Sequence, residues 1–370
     1  MPIYTHTPSS PALQQALKAS LPYSINLVYR IQHVNQTPHA HVLATFPASS
    51  MTTTTATDAI IPPCWAAAYL DQSKRPETEL WLFSTLELPE HGQASDDDGG
   101  GGGGKYCLGC KNAVLDLVGY MATLPAPPML AENAPAMHLA RQHEKEYPTP
   151  PPSGAYQMTP GTYMRHLLLP KVVTLGACQR DVFSILREAG IVRTELPGPD
   201  AELNKFLFKL SDLPETRPLP DGLRWGQVRK QDIATVQART AIPRTAGTLM
   251  SLKSVAVFEE KTDTPVAWTF LGLDGSLVSL HTEEAYRGKG IAKAVAARLL
   301  RQHAQGLAVD NQGNAWSHAD VYMGNVQSES VCCSLSGKAL WRCFWLRIDL
   351  DRAGALAGTS AAFAGYHGDK

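Results

Sequence analysis

A chain of 370 residues with 44% hydrophobic and 18% charged side chains can bury a substantial core and is longer than one typical domain, so two domains are expected. Its 33 Lys and Arg offset 34 Asp and Glu, which leaves no sequence-wide basic field to gather nucleic acid or an anionic membrane surface. The N-terminus lacks the charged start and apolar core of a secretory leader, no apolar run reaches bilayer-spanning length, and the 7 cysteines are scattered, so a cytoplasmic protein in a reducing compartment is expected.

In chain order, Ser24–Ile31, His41–Phe46 and Leu80–Leu86 are rich in β-branched and aromatic residues and read as strands. Asp96 to Gly104 offers almost nothing to bury and maximal backbone entropy to lose, which reads as a flexible insertion. Tyr106–Thr123 has helical spacing, and the prolines between Pro125 and Pro152 predict an irregular surface excursion. Val172–Leu175 reads as a strand, Gln179–Ala189 as a helix closed by Gly190, and Ile191–Glu195 and Lys205–Leu210 as strands. The prolines of Ser211–Gly222 predict the domain boundary, giving an N-terminal α/β domain over 1–213, a C-terminal domain over 219–352 and a tail over 353–370.

The second half is more sharply patterned. Arg224–Arg229 predicts a strand, Gln231–Thr240 a helix, and Ser254–Phe258, Pro265–Leu271 and Ser276–Thr282 three strands joined by turns. Then comes Arg287-Gly288-Lys289-Gly290-Ile291-Ala292, followed by a helix whose apolar stripe is Ile291, Ala292, Val295, Ala296, Leu299 and Leu300. A glycine-rich turn from strand to helix points successive N–H groups at one spot, and the helix dipole adds positive charge there, so a diphosphate is the natural guest. A Walker loop fails because Gly290, and not Ser or Thr, follows Lys289; a dinucleotide fingerprint needs Gly where Lys293 stands. Downstream, Asp320–Met323 predicts a strand, Glu329–Leu335 a short helix and Leu340–Asp349 a final aromatic strand.

The turn Arg287-x-x-Gly290-x-Ala292, with a strand before it and an amphipathic helix after it, resembles the acyl-CoA pyrophosphate loop of the GNAT superfamily, and Asn325-Val326-Gln327-Ser328 resembles that superfamily's pantetheine-contacting stretch. Pro265-Val266-Ala267-Trp268, Gly275, Thr282 and Tyr286-Arg287 are most similar to the glycine N-acyltransferase family, over roughly Leu219–Leu350. The N-terminal half resembles that family's other half in length, strand content and position. The resemblance implies an α/β (α+β) fold of GNAT type, a mixed and mostly antiparallel sheet with helices on both faces, preceded by a second α/β domain of similar kind.

It also implies acyl-CoA, such as acetyl-CoA, as co-substrate, and direct N-acyl transfer without a metal to an amine of a small molecule or amino acid. Leu280, Thr282, Arg287, Gly288, Lys289, Gly290, Ile291, Ala292, Asn325 and Ser328 would bind CoA. Where the family's proposed base is Glu, this chain has Ser276, and where many relatives place an acidic Tyr, counting from Asn325 gives Cys332. His281, Glu283 and Glu284 remain as replacement bases, with His281 facing either cleft or core. Cys332 serves either as proton donor or as packing. Two further functions stay open: a CoA-binding regulatory module without catalysis, and protein-lysine acetylation. The lone Cys107-x-x-Cys110 has no second pair or His pair at zinc spacing, so no metal is expected.

Overall fold

The computed structural model describes residues 1–48, 61–91, 106–148, 160–194, 202–240 and 244–355. Contacts group the chain into two units: Met1–Leu27, Gln36–Glu202 and Cys343–Lys370 form the first, Val28–Asn35 and Leu203–Arg342 the second. The division therefore differs from the expected one. The proline-rich Ser211–Gly222 falls inside the second unit, and the end of the last strand belongs to the first.

In the first unit, strand β1 (Tyr4–His6) is followed by helices α1 (Pro11–Ala19) and α2 (Ile25–Gln32), the latter passing into the second unit at Val28, and then by strands β2 (His41–Ala44), β3 (Ala66–Leu70) and β4 (Leu80–Ser84). Helices α3 (Leu108–Thr123), α4 (Ala134–Glu146) and α5 (Pro160–Met164) precede β5 (Val172–Gln179) and α6 (Arg180–Glu188). Strands β1 to β4 pair antiparallel in order; β4 then meets β5 in parallel at Leu80↔Leu175, and β5 pairs antiparallel with Cys343–Asp349. Cys110, Val114, Leu117, Val118 and Met121 recur at helical spacing along α3 and are fully buried in one core with Leu80, Leu175 and Leu346.

The second unit continues with β6 (Glu202–Lys209), β7 (Leu223–Gly226), α7 (Ile233–Ala238), α8 (Ala246–Ser251), β8 (Lys253–Glu259), β9 (Pro265–Leu271) and β10 (Leu277–Thr282). Helix α9 (Ile291–His303), β11 (Trp316–Tyr322), α10 (Val326–Ser334) and β12 (Lys338–Asp349) complete it. Its four-stranded antiparallel sheet runs β10-β9-β8-β7, β6 pairs antiparallel with β11, and a parallel bridge joins Ser276 to His318. In each unit a strand (β1 or β7), two helices and three antiparallel strands are followed by a further strand and helix, with α3, α4 and α5 standing between in the first unit and α9 alone in the second; β6 precedes this order in the second. In each, the chain at the last strand of the antiparallel run meets the following strand in parallel, at Leu80↔Leu175 in the first unit and at Ser276↔His318, just before β10, in the second.

The expected strand Ser24–Ile31 is instead α2. Its apolar residues at 25, 28 and 29, and at 27 and 31, fit helical spacing as well as β propensity, and burial on most sides hides the alternation that would separate the two. The proline-rich excursion contains α4, with Pro135 in its first turn, where a missing N–H costs nothing. Ile191–Glu195 contributes a single bridge, Val192↔Ile348, and Glu195 lies outside the described residues. The glycine run lies outside them too.

Candidate functional site

The site is built from the second unit alone. Gly288 and Gly290 adopt φ +75° and +77°, the left-handed region where a Cβ is strained. A Cβ built at either position would meet nothing within 4 Å, so the approach to the turn is open. Gly290 is the N-cap of α9 with no side chain bonded to the first-turn amides, and no acidic residue stands in that turn. The orphan N–H groups of a helix start therefore face outward, where an anion can take them. Ile291, Val295, Ala296, Leu299 and Leu300 are buried beneath, which fixes the helix, while Ala292 is half-exposed.

Arg287 Nε donates to the Thr282 carbonyl at 3.0 Å, tying the guanidinium to the end of β10. Lys289 Nζ lies 5.2 Å from the Tyr286 ring centroid, and Tyr286 donates to Glu259 at 2.9 Å. Both cations therefore sit on fixed supports at the rim of the turn.

Among the described residues, strand β10 pairs along its length with β9 alone. Its register shifts between Val278 and His281, with Ser279 at φ +52°, so Leu280 stands in a bulge. Glu283 N donates to Val266 O across the sheet at 2.8 Å. Alternation then turns the Thr282 N–H toward the open edge.

His281 stacks on Trp268 with ring centroids 4.8 Å apart. Its Nε2 has no hydrogen-bond partner among the described residues; Glu283 Oε2 is 3.6 Å away, and the other carboxylate oxygen accepts from Arg239 Nε at 3.0 Å. Burial lowers the His281 pKa below its ordinary 6.5, partly offset by the Glu283 charge. Neutral imidazole is therefore the form at neutral pH, able to take a proton. If His281 is the base, the acid limb of kcat/KM falls below pH 6.5, since lowering the pKa keeps the imidazole neutral to lower pH. A pH–rate profile checks this, and a limb centred above that value contradicts it.

Asn325 is the N-cap of α10, and its side chain accepts from Ser328 N at 3.2 Å, so the two predicted pantetheine contacts form one local cap. Cys332 is 4% exposed, and burial pushes its thiol up to about 12. Such a thiol is a weaker acid than an ordinary one near 8.5 and would not hand its proton to a departing thiolate. Packing accounts for it better. Cys332→Ala is expected to cost about 1 kcal/mol of stability and to leave turnover unchanged, as read by denaturant titration and a thiol-release assay.

Sequence reasoning missed the buried polar cluster where β10 and β11 meet. Lys205 Nζ is 2.5 Å from Asp320 Oδ1 and 3.1 Å from His318 Nδ1, and His318 Nε2 donates to the Asp274 carbonyl at 2.8 Å. Ser276 donates to Asp274 Oδ1 at 2.6 Å. Burial would raise the Asp320 carboxyl, but the Lys205 ammonium and His318 more than offset this and hold it far below the usual carboxylate range. Gly275, at φ +82°, lies so close to Tyr29 that a Cβ there would sit 2.3 Å from the ring. Ser276 therefore anchors a turn and is only 4% exposed. Lys205 pairs with Asp320, and His318 lies two residues back on the same face of β11, a grouping that is visible only once the register of β6 and β11 is known.

In the first unit, Cys64 and His91 join Cys107 and Cys110, all four ligand atoms lying within 4.8 Å of one another. The CxxC pair is thus not alone, which removes the reason for expecting no metal. Its companions are too distant in sequence to form a recognisable spacing.

The repeated element order and the open strand-turn-helix define an α/β acyl-CoA N-acyltransferase fold of the GNAT superfamily. Residues 1–206 match the family described as the acyl-CoA N-acyltransferase verG N-terminal domain, and the chain belongs to that family. A Drosophila protein of known structure is 11% identical, the match covering 94% of this chain and 99% of that one with a TM-score of 0.54. A tandem GNAT protein from the clavulanic acid biosynthesis pathway is 9% identical over 94% of this chain and 98% of its own, TM-score 0.45. A GCN5-related N-acetyltransferase from Sphaerobacter thermophilus is 10% identical over 94% and 95%, TM-score 0.44. No curated protein matches the chain. No helix among the described residues is long and apolar enough to cross a membrane.

Proposed function

We propose that the second unit transfers an acetyl or other acyl group from acyl-CoA directly to an amine of a small molecule or amino acid. The observation that carries this reading is the junction of an unpaired strand edge with an uncapped glycine turn. Thr282 offers its N–H along the edge, and Gly288–Ala292 offers first-turn amides, with Arg287 and Lys289 at the rim. An extended pantetheine arm can pair with such an edge like an added strand while its diphosphate takes the helix N-terminus. Asn325, at the start of α10, would contact the arm from the other side.

In this reading His281 takes the proton of the incoming ammonium, and Glu283, held by Arg239, stabilises the imidazolium that forms. The amine nitrogen then bonds to the thioester carbon, the outward N–H near Leu280–Thr282 polarises its carbonyl oxygen, and the carbon–sulfur bond breaks. The nitrogen, cationic after attack, gives its second proton through water to the departing CoA thiolate, which leaves a neutral amide and a free thiol, and the imidazolium returns its proton to solvent. Binding both substrates side by side accounts for direct transfer with no acyl-enzyme.

One observation favours a second reading, a CoA-binding regulatory module. Ser276 is engaged in a buried turn and Cys332 is held as an unreactive thiol, so neither position supplies the ionisable group that relatives carry. No residue among those described speaks specifically for protein-lysine acetylation.

Incubation with acetyl-CoA and longer acyl-CoAs against pooled amines, amino acids and a lysine peptide, followed by mass spectrometry and free-thiol detection, separates the readings. N-acylated small-molecule products with stoichiometric CoA release are expected. CoA binding with no product from any pool contradicts catalysis and favours the regulatory module.

A further inference from the structure

We propose that the first unit carries a structural zinc site formed by Cys64, His91, Cys107 and Cys110. Their ligand atoms all lie within 4.8 Å of one another, with Cys64 Sγ 3.5 Å from Cys107 Sγ and Cys110 Sγ 3.7 Å from His91 Nδ1. Zinc at about 2.3 Å from sulfur and about 2.0–2.1 Å from nitrogen makes tetrahedral edges of roughly 3.5–3.8 Å. Two of the six separations, 3.5 and 3.7 Å, match those edges, and the other four lie within 4.8 Å. A disulfide would require sulfurs about 2.05 Å apart, so these thiols are spaced to share an ion and not a bond.

The chain around the four ligands is shaped for them. Cys107 is the N-cap of α3 and Cys110 lies in its first turn, while Cys64 precedes β3 and His91 follows the short 3-10 turn after β4. A Cβ on Gly109 would sit 2.9 Å from Cys64 Sγ, so glycine at this position makes room for the third sulfur. Leu108, between them, is 69% exposed; an apolar side chain is turned to solvent so that the two cysteines turn inward. Thr85 Oγ1 lies 3.4 Å from Cys110 Sγ as a hydroxyl partner to the ligand set. Three thiolates and one imidazole in tetrahedral spacing select zinc over magnesium or calcium, and four protein ligands leave no open position, which makes the site structural and not catalytic.

Its place in the repeat gives it a meaning. Helix α3 follows the antiparallel run of the first unit as α9 follows that of the second. A helix N-terminus favours negative charge, whether diphosphate or thiolate. At α9 the start is a bare glycine turn; at α3 the same position in the repeat is held by metal ligands. The ion would tie three segments distant in sequence onto the edge of the first core, closing the long connections between them.

The test uses the tag-free full-length chain purified without chelator. Elemental analysis by mass spectrometry is expected to find zinc stoichiometric with protein, and Cys107→Ser/Cys110→Ser is expected to lose it. If that variant does not fold, His91→Cys keeps the protein testable: it should retain zinc. With cobalt(II) in place of zinc, wild type should show thiolate charge-transfer and tetrahedral d–d bands that shift in His91→Cys as a fourth sulfur replaces nitrogen. Folded wild type that takes up neither zinc nor cobalt would overturn the proposal. So would zinc retained unchanged by the double serine variant, or a Cys64–Cys107 disulfide found in place of bound metal.

Discussion

His281→Ala is expected to lower kcat by about 10²–10⁴-fold, the usual contribution of a positioned general base, while acyl-CoA affinity stays as in wild type. The ring is held by stacking on Trp268 at 4.8 Å, and burial keeps it neutral. It lies next to Thr282 on the strand whose edge would hold the thioester, and Arg287 of the glycine turn acts on it through charge, so the loss should fall on kcat and not on binding. Glu283→Gln gives a second readout. The Glu283 charge raises the His281 pKa against the dominant effect of burial, so its removal should move the acid limb of the pH profile to lower pH and weaken the base. Steady-state kinetics across pH measures both. A His281→Ala enzyme with wild-type kcat would place the proton transfer elsewhere.

Lys205→Met is expected to destabilise the second unit by about 3–5 kcal/mol, the cost of stranding one charge of a buried pair. Lys205 is fully buried and its ammonium is 2.5 Å from Asp320. Methionine fills the volume but leaves the carboxylate without its cation. Asp320 then protonates or draws in water, and either outcome loosens the contact between β10 and β11 at Ser276↔His318. Lys205→Met/Asp320→Leu should recover most of the loss, because removing both charges is far cheaper than removing one. Urea unfolding of wild type and the two variants reads the coupling directly. A single variant as stable as wild type would mean the pair contributes nothing.

The second unit was legible because its elements are short and strictly patterned. Strand β9 begins and ends where the apolar run Pro265–Leu271, set off by the Thr262-Asp263-Thr264 turn, put it, and the glycine turn to α9 carries a motif whose residue types are dictated by backbone geometry. The first unit was less legible. Helix α2 is buried nearly all round, which erases the polar face that identifies a helix, and α4 hides among prolines that stand before it and in its first turn. Site residues divided the same way. The glycine turn is local in sequence and could be read from spacing alone. The Lys205–His318–Asp320 cluster and the Cys64–His91–Cys107–Cys110 group are assembled by strand register from distant segments, so no spacing announces them. Ser276 was read as a missing base, and its bonding to Asp274 shows what the position does instead.

Everything proposed for the second unit depends on exposed main-chain amides at the start of α9 holding a diphosphate. Calorimetric titration of acetyl-CoA into wild type, Gly290→Asn and Gly290→Glu tests that most directly, with circular dichroism to establish that each is folded. Asparagine tolerates the left-handed backbone at φ +77° and adds no charge, so it should retain most of the affinity. Glutamate puts a carboxylate where the phosphates would sit and should weaken binding at least about 100-fold, roughly 2.7 kcal/mol. Equal affinity of folded Gly290→Glu and wild type would contradict the account.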